Sequence, residues 1–590
     1  MSPPTQHPGC LGTKTYLSGS FGPCLHLFIL ALKTSNFAGT PELVYNESVV
    51  SALVPCFLLL QVPQRFERTA VVSDSEIASR VGAEVMRKGG NAIDAAVAVG
   101  FALAVTLPAA GNIGGGGFMV ARMADGKSIA IDYRETAPAT ATRDMYKEKP
   151  GDSLVGPRAA GVPGTVAGMA EAHRRYGKLP WKSLVEPAVR LAAEGFILPW
   201  GLAEGFSEAS TMFKPFPASY AQFNRSGSLL KPGETFAQPD LGKTLARIAE
   251  KGPREFYEGE TANLIAACGT ISLKDLKTYK AAIREPLTGS YKGYDILTMP
   301  PPSSGGLALL QMLNVMRNDD LKGMGFASSD HLHLMVETMK RAFADRAAHL
   351  GDPDFETVPA NELLSIDYAD RLRKQIGEKA TPAREIKAFA AGSHESEQTT
   401  HYSIVDSEGN AVSNTYTLNG GYGSGFVVPG AGFLLNNEMD DFATQPGKPN
   451  MYGLIQGPKN EIKPGKRPLS SMTPTIVTKD GKLVLVLGSP GGPTIINTVL
   501  QCFLNVSEFG MNVQRAVSAP RFHHQWMPDE IRWESFGLPR DVKRAMEAKG
   551  HKFETSAKTM GSCHAIAISA SGVRQAGVDP RISTSGAAGS

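Results

Sequence analysis

A hairpin rich in hydroxyl side chains, between residues 398 and 419, constrains the fold most. The run 398–406 predicts a strand, 407–410 a turn and 411–418 a second strand. Hydroxyl groups crowd both strand ends, with an amide just beyond: Thr399, Thr400, Ser403, Thr415, Thr417 and Asn419. Because threonine is favoured in strands, an ordinary solvated hairpin is one interpretation. The other is that Thr399 is a nucleophile whose α-amine, released by cleavage after Gln398, acts as its base.

Length, charge and cysteine spacing limit the class of protein that this chain can be. The 590 residues provide enough material for a large core and about two to four domains. A net charge of +3, from 60 basic and 57 acidic residues, gives no electrostatic support for binding nucleic acid or an acidic membrane. The 6 cysteines have no paired spacing, so neither a disulfide framework nor a cysteine zinc site is expected.

The first 66 residues are predicted to lie outside the fold. They hold two apolar runs, Leu25–Leu32 and Val49–Val62, both shorter than the roughly 18 residues that a membrane-spanning helix needs. The second run has the length of a signal-peptide core but lies far from Met1 and has no basic flank. We expect either an export signal with an upstream extension, which would make the protein periplasmic or secreted, or a leader outside the fold.

Two charged features each allow two interpretations. Arg134 follows a predicted strand-turn-strand at 118–133, and could form a surface salt bridge or bind a carboxylate through both guanidinium nitrogens. Three acidic residues in four positions, Glu438, Asp440 and Asp441, follow a short strand predicted at Gly432–Leu435. Such a cluster usually faces water, but turned inward it would bind an ammonium group.

A glycine loop near residue 490 is a second candidate site. Val484–Leu487 predicts a strand buried on both faces, Gly488–Gly492 a loop and Ile495–Val506 a helix. Consecutive backbone N–H groups at a helix start suit an oxyanion, although a plain tight turn explains the glycines equally well. The pair His523 and His524 is not predicted to bind metal, because adjacent side chains on a strand point to opposite faces.

Several segments, in one order, resemble the γ-glutamyltransferase (γ-glutamyl transpeptidase) family of N-terminal-nucleophile hydrolases. The resemblance extends roughly from Thr69 to Arg581. It rests on Thr399-Thr400-His401-Tyr402-Ser403, Thr415-Tyr416-Thr417-Leu418-Asn419, Leu435–Phe442, Pro468–Met472 and Gly488–Gly492.

The resemblance implies an α/β (α+β) fold, a four-layer αββα sandwich. It also implies a precursor that cleaves itself between Gln398 and Thr399. A large subunit, 67–398, and a small subunit, 399–590, would then form a heterodimer without cofactor or metal. Substrates would be glutathione and other γ-glutamyl compounds, with water, an amino acid or a dipeptide as acceptor.

The resemblance also gives each site residue a role. Thr399 would attack, Thr417 would position it, and the backbone of Gly491 and Gly492 would hold the oxyanion. The substrate's α-carboxylate would bind Arg134, Ser470 and Ser471, and its α-ammonium would bind Asn419, Glu438 and Asp441. The long loop 443–468 would form a lid whose Tyr452 pairs with Asn419.

Three alternatives stay open. A β-lactam acylase of the same superfamily acts on glutaryl groups, which lack the α-ammonium. A relative acting on poly-γ-glutamate is disfavoured by the lid. An uncleaved, inactive homologue would only bind ligands. A serine hydrolase with a GxSxG motif finds no support in the sequence.

Overall fold

The computed structural model describes residues 61–225, 227–386, 399–444 and 457–590. Two predicted site residues, Gln398 and Tyr452, lie outside the described residues. One compact unit spans Pro63–Ser590. No helix in the described ranges is long and apolar enough to span a membrane.

Two seven-stranded sheets form the centre of this unit, and all neighbouring strands run antiparallel. Sheet 1 has the order β20-β2-β12-β13-β3-β4-β9, and sheet 2 the order β1-β19-β18-β15-β14-β11-β10. Three two-stranded ribbons account for the remaining strands. The strands are β1 Gln64–Phe66, β2 Ala70–Ser73, β3 Gly116–Arg122, β4 Ser128–Asp132, β5 Phe196–Ile197, β6 Asn224–Arg225, β7 Ser228–Leu229, β8 Thr235–Phe236, β9 Ala282–Arg284, β10 Leu287–Tyr291, β11 Tyr294–Thr298, β12 Thr400–Val405, β13 Ala411–Thr417, β14 Thr475–Lys479, β15 Lys482–Gly488, β16 Phe522–His523, β17 Arg532–Trp533, β18 His564–Ile568, β19 Arg574–Gly577 and β20 Gly586–Gly589.

Helices cover the outer face of each sheet. They are α1 Glu76–Arg87, α2 Ala92–Thr106, α3 Thr165–Tyr176, α4 Trp181–Glu194, α5 Trp200–Phe213, α6 Pro217–Phe223, α7 Pro239–Lys251, α8 Arg254–Glu258, α9 Glu260–Ala266, α10 Leu273–Thr278, α11 Gly305–Met316, α12 Leu321–Met324, α13 Ser329–His349, α14 Ala360–Leu363, α15 Ile366–Lys374, α16 Thr494–Ser507, α17 Val513–Ser518 and α18 Arg540–Lys549. α2 packs on β12 and β13, while α11 and α16 pack on sheet 2. β12 and β13 face β15 of the other sheet. The predicted αββα sandwich is therefore confirmed.

The hairpin of β12 and β13 follows from alternating side chains. Tyr402 and Ile404 point outward into the core shared with α2. Their neighbours His401 and Ser403 point toward sheet 2, where the Ser403 hydroxyl donates to the carbonyl of His564. Successive side chains of a strand point to opposite faces. The side chain of Thr399 therefore shares the face that looks into the space between the sheets.

Two local expectations were wrong. Gln64–Phe66 pairs with β19, so sheet 2 begins within the segment predicted to lie outside the fold. This edge strand has only 3 residues and two of them are exposed, so it leaves no hydrophobic pattern in the sequence. Gly432–Leu435 is not a strand, because only an isolated bridge joins Val427 to Leu434.

Candidate active site

Thr399 and Thr417 meet because of the register of the hairpin. Thr400 pairs with Tyr416 in the antiparallel ladder, which places the preceding Thr399 opposite Thr417. The Thr399 hydroxyl donates to the Thr417 hydroxyl at an oxygen–oxygen distance of 3.4 Å. Thr417 also accepts a 2.8 Å hydrogen bond from the backbone N–H of Asn419. Thr417 is thereby held against the predicted nucleophile.

Asn419 connects this pair to the acidic segment. Its φ of +76° lies in the left-handed region, which asparagine tolerates better than most residues. Its side-chain amide donates to the carbonyl of Asn437 at 3.0 Å. Because Asn437 directly precedes Glu438, the end of β13 and the acidic cluster lie against each other.

The acidic cluster faces inward. Glu438–Asp441 is one turn of 3₁₀-helix, and all of its side chains are buried. The Arg134 guanidinium forms an ion pair with Glu438, and its Nη2 donates to Asp441 Oδ2 at 2.5 Å. Arg134 is also buried, with 1% of its side chain exposed. Arg134 therefore does not form a surface salt bridge, and the acidic segment is not a solvated loop.

Glu135 adds a carboxyl group that the sequence interpretation did not include. It is fully buried, and its Oε2 lies 3.8 Å from Arg134 Nη1. Burial raises the pKa of the Glu135 carboxyl to about 7, against the lowering influence of Arg134. Its position next to Arg134 in the sequence was the only available signal.

The serine segment packs behind Arg134. The guanidinium donates to the carbonyls of Pro468 and Leu469, at 3.4 Å and 3.3 Å. Ser470 and Ser471 follow directly and are buried. The Ser470 hydroxyl accepts from the N–H of Met472, and the Ser471 hydroxyl accepts from Arg346 at 3.2 Å. The structure therefore brings the predicted carboxylate-binding residues together.

The glycine loop adopts a backbone that other residues rarely reach. Gly491 has φ +126° and Gly492 has φ +54°. A Cβ on Gly491 would lie 2.5 Å from the hydroxyl oxygen of Thr494, which donates to the Gly491 carbonyl. Within the described ranges, no acceptor is found for the backbone N–H of either glycine. A pair of buried, unpaired N–H groups is the arrangement that an oxyanion needs.

A cavity of about 210 Å³ lies beside Thr399. Its lining residues are Thr399, Pro490, Gly491, Thr494, Arg532, Thr559, Met560, Gly561, Arg581 and Ile582. The predicted nucleophile and one predicted oxyanion glycine thus share one cavity. Arg134, Glu438 and Asp441 are not among its lining residues.

Asp74 joins the two halves of this site and was missed in the sequence. It is fully buried, and its carboxylate accepts from Thr400 at 2.7 Å and from Ser562 at 3.0 Å. His564 Nε2 lies 2.6 Å from the same carboxylate. Ser562 in turn donates from its backbone N–H to Ser489, in the glycine loop. Since Asp74 lies between a strand and a helix, the sequence offers no local sign of these distant contacts.

The histidine pair has separate partners. His523 is hydrogen-bonded to Asn497 and Gln525 at 2.7 Å and 2.8 Å, whereas His524 accepts a hydrogen bond from the N–H of Trp526 at 3.0 Å.

Elsewhere in the described chain, ligand atoms of His333, Glu337 and His551 lie within 4.8 Å of one another. Lys340 and Arg341 both form ion pairs with Glu337, and two adjacent cations oppose a metal ion there.

The protein has two facing antiparallel sheets between helical layers, and a threonine lies at the start of a central strand. This arrangement defines the class of N-terminal-nucleophile hydrolases. The family model described as gamma-glutamyltranspeptidase matches residues 78–589. This chain belongs to that family.

Similar sequences and solved structures agree with this family assignment. The glutathione hydrolase proenzyme of Escherichia coli (strain K12) is 48% identical over 531 residues, covering 88% of this chain and 91% of the relative. The crystal structure of cephalosporin acylase from Bacillus halodurans superposes with a TM-score of 0.79 at 28% identity, covering 90% of this chain and 97% of that one. Gamma-glutamyltranspeptidase of Helicobacter pylori gives a TM-score of 0.52 at 44% identity, covering 53% of this chain and 93% of that one.

Proposed function

We propose that this chain is a self-cleaving γ-glutamyl hydrolase and transferase that acts on glutathione and related γ-glutamyl compounds. The observation that carries the proposal is the buried cluster of Arg134 with Glu438 and Asp441. Such a cluster offers one cation and two anions within a few ångströms. It therefore suits a ligand that bears a carboxylate and an ammonium on the same carbon atom.

Thr399 would carry the chemistry. Its hydroxyl oxygen attacks the carbonyl carbon of the γ-glutamyl amide, and the hydroxyl proton moves to the α-amine that cleavage after Gln398 releases. An α-amine with an ordinary pKa of about 7.7–8.0 suits this role near neutral pH. The carbon–nitrogen bond then breaks, the leaving amine takes the proton, and a γ-glutamyl ester remains on Thr399.

The second half of the reaction transfers the γ-glutamyl group. Water attacks the ester to give glutamate, or the amine of an amino acid or dipeptide attacks it to give a new γ-glutamyl amide. In both halves negative charge develops on the carbonyl oxygen. The backbone N–H groups of Gly491 and Gly492 would stabilise that charge.

Glutaryl transfer is the second candidate, because the cephalosporin acylase of Bacillus halodurans has the same fold. A glutaryl group would leave the carboxylates of Glu438 and Asp441 without an ammonium partner. Burying unpaired charge is costly, so this pair of acids favours the γ-glutamyl group. The binding site, and not the fold, decides between the two substrates.

A comparison of two anilides tests the proposal. The purified protein is incubated with γ-glutamyl-p-nitroanilide and with glutaryl-p-nitroanilide, and kcat/KM is measured for each. We expect the γ-glutamyl compound to be turned over about 10- to 100-fold more efficiently, because a hydrogen bond to a charged group contributes about 1.5–3 kcal/mol and each 1.4 kcal/mol is a factor of about ten. A preference for the glutaryl compound would overturn the proposal in favour of an acylase.

A further inference from the structure

A second cavity, of about 850 Å³, is lined by residues of α3, α8 and β9. Sites for small molecules occupy about 300–1,000 Å³, so this cavity has the volume of a ligand site. Thr399, Arg134 and the other residues assigned to the γ-glutamyl group are not among its described lining residues. The cavity is therefore separate from the active site, and the proposed function gives it no role.

Aromatic side chains form part of the wall of this cavity. Trp181, Tyr257 and Tyr279 all line it. The rings of Tyr257 and Tyr279 are stacked, with their centroids 5.9 Å apart and an angle of 6° between their planes. Aromatic rings present a large and rigid apolar surface. The cavity therefore suits a molecule with a flat apolar body.

The charged side chains around the cavity are mostly cationic. Five cationic and two acidic side chains line it, an excess of three positive charges. They are Arg174, Arg175, Arg254, Lys277, Lys280, Glu171 and Glu258. Both acids already have an arginine partner, at 2.7 Å for Glu171 and 2.6 Å for Glu258. Lys280 is exposed and has no ion-pair partner in the described part of the chain, so it is the cation that a negative ligand would meet.

The residues Tyr279 and Lys280 connect this cavity to the site around Arg134. The Tyr279 hydroxyl donates to the backbone carbonyl of Arg134 at 2.8 Å. The backbone carbonyl of Lys280 accepts from Arg467 at 3.0 Å. Arg467 directly precedes Pro468, whose carbonyl accepts from the Arg134 guanidinium. Two adjacent cavity residues are thus hydrogen-bonded to the segments that hold Arg134.

Close packing ties the Tyr279 hydroxyl to the backbone before Arg134. A Cβ on Gly164 would lie 2.1 Å from the Tyr279 hydroxyl oxygen and 2.0 Å from the carbonyl oxygen of Tyr133. Three segments therefore meet at a point with no free space. Protein interiors are close-packed and transmit displacement from one group to the next. A ligand that shifts the Tyr279 ring must also shift the backbone of Arg134.

We propose that this cavity is a second ligand site, which binds a small aromatic carboxylate through Lys280 and changes the affinity of the Arg134 site for the γ-glutamyl donor through Tyr279. Binding to the cavity is independent of the reaction, whereas the change in donor affinity rests on the proposed function. The effect is a coupling free energy between two sites, so the donor changes the affinity for the carboxylate by the same factor.

Three probes test the binding: β-naphthoate, its neutral analogue β-naphthamide, and acetate. Their dissociation constants for the purified protein are measured by isothermal titration calorimetry. We expect β-naphthoate to bind about fivefold more tightly than the amide, the upper range for a solvent-exposed ion pair, and acetate to bind more weakly than either. Lys280→Gln should abolish the preference and Lys280→Arg should keep it. Lys127→Gln, which removes an exposed lysine outside the cavity, is the matched control and should also keep it.

Hydrolysis of γ-glutamyl-p-nitroanilide at increasing β-naphthoate concentration tests the coupling. We expect the donor KM to change about fivefold, the lower end of common allosteric couplings, and then to reach a plateau. Competition for Arg134 would instead raise KM in proportion to the β-naphthoate concentration, without a plateau. Tyr279→Phe should bind β-naphthoate as tightly as the wild type but lose the change in KM, because only the hydrogen bond to Arg134 is removed.

The results that would overturn the inference differ for its two parts. Equal affinity of the wild type for β-naphthoate and β-naphthamide, or an unchanged preference in Lys280→Gln, would refute the site. A donor KM that stays constant at saturating β-naphthoate, or that changes equally in the wild type and in Tyr279→Phe, would refute the coupling. If the protein turned over no γ-glutamyl donor, the proposed function would fail, while the calorimetry would still decide whether the site exists.

Discussion

Arg134 donates from Nη2 to Asp441 Oδ2 at 2.5 Å, with both side chains buried. The ion pair joins one residue predicted to bind a carboxylate to another predicted to bind an ammonium. An α-amino acid carries both groups on one carbon, so residues that bind them must be neighbours. A ligand that separates this pair replaces each charge with its own counter-charge, and neither residue is left buried and unpaired.

Replacing Asp441 should separate the two substrate classes. In Asp441→Ala, kcat/KM for γ-glutamyl-p-nitroanilide should fall about 100-fold, because the ammonium loses a charged partner. Turnover of glutaryl-p-nitroanilide, which has no ammonium, should change less than about fivefold. Asp125→Ala, at an exposed salt bridge, is the control and should alter neither rate. Equal losses on both anilides would count against the ammonium-binding role.

Adding one methyl group to the glycine loop should damage catalysis. Gly491→Ala places a Cβ 2.5 Å from the Thr494 hydroxyl oxygen at a φ of +126°. The loop must shift, and we expect kcat to fall at least about tenfold because the oxyanion donors move. Gly481→Ala also has a positive φ, +74°, but nothing lies near its Cβ. If both variants lose activity equally, backbone strain and not the oxyanion explains the result.

Asp74→Asn should impair the reaction more than substrate binding. The carboxylate accepts from Thr400 at 2.7 Å and from Ser562 at 3.0 Å, and an amide nitrogen cannot accept. We expect kcat to fall about tenfold or more, precursor cleavage to slow, and KM for the donor to change less than about threefold. Asp125→Asn is the exposed control. A rise in KM with unchanged kcat would show that Asp74 does not position Thr399.

Acid should destabilise the protein through its buried histidines. Burial lowers the pKa of His401 well below its ordinary value, that of His331 to about 4 and that of His551 to about 3. Lys340 also lowers the pKa of His551. Below the ordinary value of 6.5, the unfolded chain binds more protons than the folded one, so stability falls from there towards pH 3.

Melting temperatures measured between pH 7.5 and 4.5 test whether stability falls as the pH is lowered. They should fall with pH in the wild-type protein and fall less steeply in His551→Gln. The Glu135 carboxyl, whose pKa is raised to about 7, acts in the opposite direction, because its neutral form favours the folded state and its contribution is lost as pH rises. A steeper acid loss in His551→Gln than in the wild type would contradict the assignment.

Much of the fold could be predicted because its pattern is local. Ala92–Thr106 is apolar nearly all round, a pattern that predicts a buried helix, and these residues form the buried helix α2. The alternation along β12 and β13 correctly predicts the hairpin that carries Thr399. β1 was not predicted because a short edge strand buries little apolar surface.

The sequence could single out several candidate site residues, but not how they are arranged. The sequence singled out Arg134 and the acids at 438–441, while their burial and mutual contact depend on segments some 300 positions apart (307 between Arg134 and Asp441). The contacts of Asp74 could not be predicted either, because its partners Thr400 and Ser562 are 326 and 488 positions away in the sequence. Long-range contacts of this kind leave no periodic signal in a single sequence.

We propose that the chain activates itself by releasing the α-amine of Thr399. Sequencing the N-terminus of the smaller fragment of the purified, active protein, alongside the γ-glutamyl-p-nitroanilide assay, tests it most directly. We predict two fragments, the smaller beginning Thr399-Thr400-His401, and an uncut, inactive chain for Thr399→Ala. An intact single chain with full activity would contradict activation by cleavage before Thr399.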